Sequence, residues 1–136
     1  YVLWTTPPPY PFLGAAGIAL FALALALFLW ALAAHQGRRL TRVYCTDAPE
    51  RLVTRGPYGW MRHPCYTAYL LAFGAGLVAT ASPWLLPVVV GNGILYAHAA
   101  RTEERKFARS TLGQQYELYQ KRTGMFFPNP LKQLRN

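Results

Sequence analysis

Charge is scarce in this chain. Of its 136 residues only 14 % are Asp, Glu, Lys or Arg, against roughly 25 % in an ordinary soluble domain. None of these falls within residues 1–37. Acids are scarcer still: five Asp+Glu stand against 14 Lys+Arg, a formal net charge of +9. Cysteine occurs twice, at Cys45 and Cys65, too little for a disulfide framework or a paired-cysteine metal site. There is no Gly-x-Gly-x-x-Gly, no Ser/His/Asp set, no phosphate loop and no His/Cys cluster at metal-ligand spacing. No metal is therefore expected. The length allows about one domain, too little for a nucleotide-binding domain plus a second unit, and a hydrophobic share of 53 % excludes a disordered chain. The chain opens on Tyr1 rather than Met, as a chain does when residues precede it.

What is present is apolar sequence in long runs. Phe12 to Ala34 is an apolar stretch of 23 residues, enough at about 1.5 Å per residue to cross a ~30 Å hydrocarbon core. A signal peptide would carry a basic flank before a shorter run; here Arg38 and Arg39 follow it instead. Two shorter stretches, Cys65 to Ala81 and Pro83 to Ala100, are separated by a short Ala-Ser-Pro-Trp link and predict a tight helical hairpin. Pro87, Gly91, Asn92 and Gly93 predict a kink or local unwinding of its second helix. Asn92 and His98 should face protein or water.

The basic residues orient the chain. All of them lie between residues 38 and 62 or from Arg101 onward, so three crossings place both groups on the cytosolic side. Residues 1–11 and the turn at Ala81–Trp84 fall outside. The expected architecture is a single all-α integral membrane domain, multi-pass, over residues 1–136. It has transmembrane helices at about 12–34, 65–81 and 83–100, a cytosolic segment at 38–64, and a cytosolic amphipathic tail over 101–136. The positive charge reads as topology signal and attraction to anionic membrane lipids, not as nucleic-acid binding. Both cysteines then face a reducing compartment as free thiols.

Chemistry concentrates in the two cytosolic segments. The first contains Gly56-Pro57-Tyr58-Gly59, a turn signal, and then Arg62-His63-Pro64, with Pro64 suited to the first turn of the next helix. Free N–H groups there, beside Arg62 and His63, predict a site for an anionic group; an isolated Arg-His-Pro is also what a snorkelling arginine and an interfacial cap look like. The second begins Arg101-Thr102-Glu103-Glu104-Arg105-Lys106-Phe107. Its glutamates read either as solvated surface charges or as carboxylates brought back by the hairpin to the side of Arg62 and His63, able to grip ribose hydroxyls or an ammonium group. Phe107, Leu112, Tyr116 and Tyr119 are spaced for one face of an interfacial amphipathic helix, and Phe126-Phe127-Pro128 follows.

These features resemble, in order and spacing, the isoprenylcysteine carboxyl methyltransferases and their bacterial relatives. Gly56, five residues, Arg62-His63-Pro64, any residue and Tyr66 follows the family's Gly-x5-Arg-His-Pro-x-Tyr pattern. An apolar hairpin and Glu103-Glu104 come next. Leu112-Gly113-Gln114-Gln115-Tyr116 with Tyr119 and Pro128 is similar to its closing segment. The resemblance covers roughly residues 50–128.

It implies a membrane enzyme using S-adenosylmethionine near the cytosolic surface to methylate a lipophilic acceptor. Leu52, Val53, Tyr58, His63, Pro64, Tyr66 and Glu103 would bind the cofactor, with Tyr58, Tyr66 and Trp60 as aromatic walls. Three positions depart from the family: Ala68 for a usual Gly, Phe107 for a usual Leu, and Ala99 where the prenylcysteine enzymes carry a substrate-linked arginine. Arg101, which with His98 flanks Ala99, and Glu104, the nearest base for an amine or thiol acceptor, are the catalytic candidates. A prenylcysteine, a lipid amine and a small thiol remain equally open as acceptors. Two other classes fit part of the pattern: a non-catalytic membrane subunit packed among complex partners, and an NADPH-binding reductase of the sterol type.

Overall fold

The computed structural model describes residues 11–35 and 51–129. Residues 1–10, Arg38, Arg39, Cys45 and the end of the tail from residue 130, all of which carry expectations above, lie outside the described residues. Within them the chain is helical: α1 (Pro11–Ala34), α2 (Pro64–Thr80), α3 (Leu86–Ala108) and α4 (Gly113–Arg122). There is no strand among the described residues, only an isolated parallel bridge between Met61 and Gly124.

Helix α1 is long and apolar enough to cross a membrane, while α2 is apolar but only 17 residues long. Helix α1 packs chiefly on α2, through small residues: Gly17, Ala24 and Ala31 on one side, Ala68 and Ala75 on the other, all buried. Seven-residue spacing keeps such residues in one seam and lets two backbones approach closely. The bulky side chains point the other way, with Ile18, Phe21, Leu23 and Leu25 exposed on α1 and Val90, Ile94 and Leu95 on α3.

Helix α2 opens as expected, with Pro64 in its first turn. It stops at Ala81, whose left-handed backbone (φ 48°) is stabilised by an N–H bond to Leu77 O at 2.9 Å. A short 3-10 turn, Pro83–Leu85, reverses the chain. Helix α3 differs from expectation in two ways. It starts at Leu86 with Pro87 in its first turn and remains helical through Gly91, Asn92 and Gly93, so no unwinding occurs there. A proline in the first turn removes no helical bond, and Asn92 donates back to Val88 O at 2.8 Å. It also runs on to Ala108 instead of stopping near Ala100, so Glu103 and Glu104 sit on a rigid extension of the hairpin. His98 is exposed on α3.

Helix α4 is amphipathic, and its aromatic face is turned onto the protein. Tyr116 and Tyr119 are buried, Tyr116 stacked on Phe107 with ring centres 4.7 Å apart. Spacing alone fixes that such a face exists, not what it covers.

Candidate functional site

The segment entering α2 is tied first to the end of α1. Arg55 Nε donates to Ala34 O at 2.8 Å, covering a carbonyl that the helix end leaves open. His35 Nε2 and the Tyr58 hydroxyl lie 2.9 Å apart, and the Tyr58 hydroxyl is 3.6 Å from the free thiol of Cys65. Burial raises the phenol pKa of Tyr58 and of Tyr119, so both stay protonated donors. Trp60 stacks edge-on against Trp30 at 6.0 Å and remains 54 % exposed.

The two glutamates of α3 close on the start of α2. Each ring nitrogen of His63 faces a carboxylate: Nδ1 lies 3.4 Å from Glu103 Oε2 and Nε2 lies 3.2 Å from Glu104 Oε1. Tyr66 donates to Glu103 Oε1 at 2.8 Å. Arg62 Nε donates to Glu104 Oε1 at 2.7 Å, and Gln120 Nε2 to Glu104 Oε2 at 3.0 Å. The His63 ring stacks on Tyr66 (5.6 Å, 14°), and Tyr66 stacks on Tyr96 (5.3 Å, 17°). His63 is 7 % exposed, the Glu104 side chain 14 % and that of Glu103 23 %, so Glu103 is the most open acid of the cluster.

The electrostatics follow from this sandwich. Burial disfavours a charge on His63, but hydrogen bonds to Glu103 and Glu104 outweigh it and raise its pKa above 6.5. Burial likewise favours neutral Glu104, yet His63 and Arg62 hold its pKa down at about 2. The His63 contribution to stability is complete below its unfolded value and is lost as pH rises through the raised one. The Glu104 contribution is complete above its unfolded value of 4.5 and is lost as pH falls toward about 2. Thermal stability in nanodiscs is therefore expected to peak between about pH 4.5 and 6.5 and to decline above it. A flat profile up to about pH 9 would show that His63 carries no charge in the folded cluster.

The chain beyond α4 lies along the same segment. Arg62 N–H donates to Gly124 O at 2.9 Å and His63 N–H to Met125 O at 3.1 Å, while Gly124 N–H donates to Trp60 O at 3.3 Å. Thr67 Oγ1 donates to Phe126 O at 2.8 Å, and the Tyr119 hydroxyl to Tyr58 O at 2.6 Å. Arg62 Nη1 reaches Thr123 O at 2.6 Å. The amides of Arg62 and His63 and the guanidinium of Arg62 are thus engaged by the protein itself.

Among the residues singled out in the sequence, His63, Tyr66, Glu103 and Glu104 come together. Pro64 is fully buried beneath them. Tyr58 lies across the loop with His35 and Cys65, and Leu52 and Val53 are half-buried in the irregular stretch before it. Arg101 is exposed, with no hydrogen bond or ion pair among the described residues. Glu104, with its oxygens taken by Arg62, His63 and Gln120, has little basicity left for the proton-acceptor role expected of it. Sequence reading missed Gln120, Thr123, Gly124 and the carbonyl of Met125. None carries a motif, and Gly124 alone gave a signal, as a glycine just beyond a helix end.

A family model described as phospholipid methyltransferase matches residues 12–115. Among curated proteins, a methanethiol S-methyltransferase from a Pseudomonas species is 35 % identical over 82 residues, which are 59 % of this chain and 30 % of that protein. A cobalt-zinc-cadmium resistance protein of Cupriavidus metallidurans is 33 % identical over 78 residues, 57 % of this chain and 35 % of that protein. The aligned stretch thus covers about a third of the length of each relative. No solved structure matches the chain.

Proposed function

The chain belongs to the phospholipid methyltransferase family, and from that premise we propose that it is an integral-membrane methyltransferase that uses S-adenosylmethionine on a lipophilic acceptor. In this reading α1, α2 and α3 all cross the membrane, and the cluster of His63, Tyr66 and Glu103 lies at its cytosolic face. The observation that carries it is the half-buried carboxylate of Glu103, fixed by Tyr66 and His63 at the head of stacked aromatic rings. Such a group suits S-adenosylmethionine. A carboxylate accepts from an ammonium group or from ribose hydroxyls, and the faces of Tyr66 and Tyr96 attract a sulfonium cation.

When bound, the cofactor supplies an electrophilic methyl group. The protein's own contribution is then position and exclusion of water. Glu103 anchors the polar end, His63 and Tyr66 hold Glu103 in place, and the buried Pro64 fixes the direction in which α2 departs. The rings of Tyr66, Tyr96, Tyr69 and Phe28 continue from this point between the helices, with neighbouring centres 5.3 to 5.6 Å apart. They favour an acceptor with an apolar body. The name of the Pseudomonas relative adds a small thiol as the first alternative acceptor to try. A carboxylate acceptor needs no base; a thiol or amine has a proton to lose, and Glu103 is the carboxylate not committed to Arg62.

The test is calorimetric titration of S-adenosylhomocysteine into the protein in nanodiscs, with NADPH as control. Micromolar binding of the first alone is expected. Glu103→Ala should weaken it by about 1.5–3 kcal/mol, the usual value of a hydrogen bond to a charged group. Silence with both ligands in a folded sample would turn the reading toward a non-catalytic subunit, and an unchanged affinity in the variant would remove Glu103 from the site.

A further inference from the structure

We propose that Arg62 and Glu104 are a positioning pair that fastens the segment Thr123–Phe126 across the start of α2, and that this segment sets His63 for the ligand. The proposal rests on the cofactor-site reading above. Three separate elements meet on this one ion pair. Arg62 stands two residues before α2, Glu104 stands on α3, and the other donors and acceptors come from the end of α4. Arg62 Nη1 lies 2.6 Å from Thr123 O and 3.4 Å from Gln120 O, carbonyls at the negative end of α4 that the helix leaves open. Its Nε is on Glu104 Oε1, whose partner oxygen accepts from Gln120 of the same helix α4. One guanidinium therefore compensates a carboxylate and a helix end together, which its planar fork allows and an ammonium does not.

His63 is the neighbour of this pair and depends on both of its sides. Its N–H is bound by Met125 O, its ring lies 6.1 Å from that of Phe126, and its Nε2 shares Glu104 Oε1 with Arg62. Loss of the pair uncaps α4, frees the segment beyond it, and removes two of the contacts that orient the imidazole. Arg62 and Glu104 touch the ligand nowhere in this scheme. They act through His63.

Arg62→Gln, Glu104→Gln and the double variant, in nanodiscs, test the scheme by two readouts. The first needs no ligand: amide hydrogen exchange read by mass spectrometry. Exchange should rise at residues 61–63 and 119–126 in every variant, while the interiors of α2 and α3 stay protected. The second is S-adenosylhomocysteine affinity. Each single variant should lose about 30-fold or more, as truncating one partner of a buried charged pair does, and the double variant should lose no more than the weaker single. Arg62→Lys, a milder change, should recover protection only in part because the charge remains without the fork. Losses that multiply in the double variant, with exchange at residues 61–63 unchanged, would overturn the proposal and make both residues independent ligand contacts. If the unaltered protein binds no S-adenosylhomocysteine, the methyltransferase reading fails by itself, and the exchange pattern alone decides whether the pair fastens the segment.

Discussion

Replacing Gly17 with leucine is expected to part α1 from α2 and to carry the candidate site with it. Gly17 stands where the helices come closest: a Cβ built there would run into Ala79 Cβ and would sit 2.9 Å from the carbonyl oxygen of Ala75. The obstruction is partly backbone, so no rotamer change relieves it. The neighbouring seam cannot absorb it either, because Ala24, Ala31, Ala68 and Ala75 are between 0 and 3 % exposed. Between helices in lipid, close packing stands in for the hydrophobic drive, and overpacking of one methyl-sized group already costs about 1–3 kcal/mol. Leucine adds three further carbons. A loss of about 3 kcal/mol or more is expected, read as a lowered midpoint of thermal unfolding in nanodiscs. Trp30 and Trp60 give a local readout, since their edge-on contact joins α1 to the loop before α2. Arg55 would lose its acceptor at Ala34 in the same movement. Ile18→Leu, on the exposed side of α1, is the matching control and should change neither signal. Equal midpoints and fluorescence in the Gly17 variant would mean that the helices are not held at this crossing.

The parts of the molecule legible in its sequence are those with a local cause. Helix α1 follows from an uninterrupted apolar run, and α2 from Pro64 at one end and the Ala-Ser-Pro link at the other. The end of α3 does not follow from the same reasoning. Apolarity marks where a membrane stops, but the backbone of Arg101–Ala108 consists of residues that tolerate a helix and has no glycine or proline to break it. Gly91 and Gly93 misled in the opposite direction. Each weakens an exposed helix by about 1 kcal/mol, yet in an apolar setting an unwound turn would leave polar backbone groups unsatisfied at several kcal/mol each.

For the site, the hairpin was sufficient to bring Glu103 and Glu104 near His63 and Tyr66, because two antiparallel helices of similar length return the chain to the side it left. The division of labour between the glutamates was not legible. It depends on which acid faces Arg62, and that is decided by Gln120 and Thr123, 58 and 61 residues from Arg62 at the end of α4. Contacts of that separation leave no periodic trace. The same cause hid the engagement of the Arg62 and His63 amides: an N–H group at a helix start is open until some other segment is known to reach it.

Gly124→Ala is the sharper test of how that segment reaches it. A Cβ at this position would overlap the carbonyl oxygen of Phe127 and approach its carbon to 3.0 Å. Both are backbone atoms of the turn that folds the chain back over α2. Gly124 is also the residue whose carbonyl receives the Arg62 amide and whose own N–H donates to Trp60 O. The turn must therefore open, and it cannot open without moving a residue bonded on both sides. The expected result is a destabilisation of about 1–3 kcal/mol, with faster amide exchange at Arg62 and His63 and no change in the seam between α1 and α2. Because the ion pair of Arg62 with Glu104 keeps all its side-chain atoms in this variant, the outcome separates two contributions to the ordering of His63. Weakened S-adenosylhomocysteine binding with the pair intact would place the decisive contact in the carbonyls of Gly124 and Met125. Undiminished binding with faster exchange would place it in Glu104, and the segment would then be a cover over an imidazole already held by its two carboxylates.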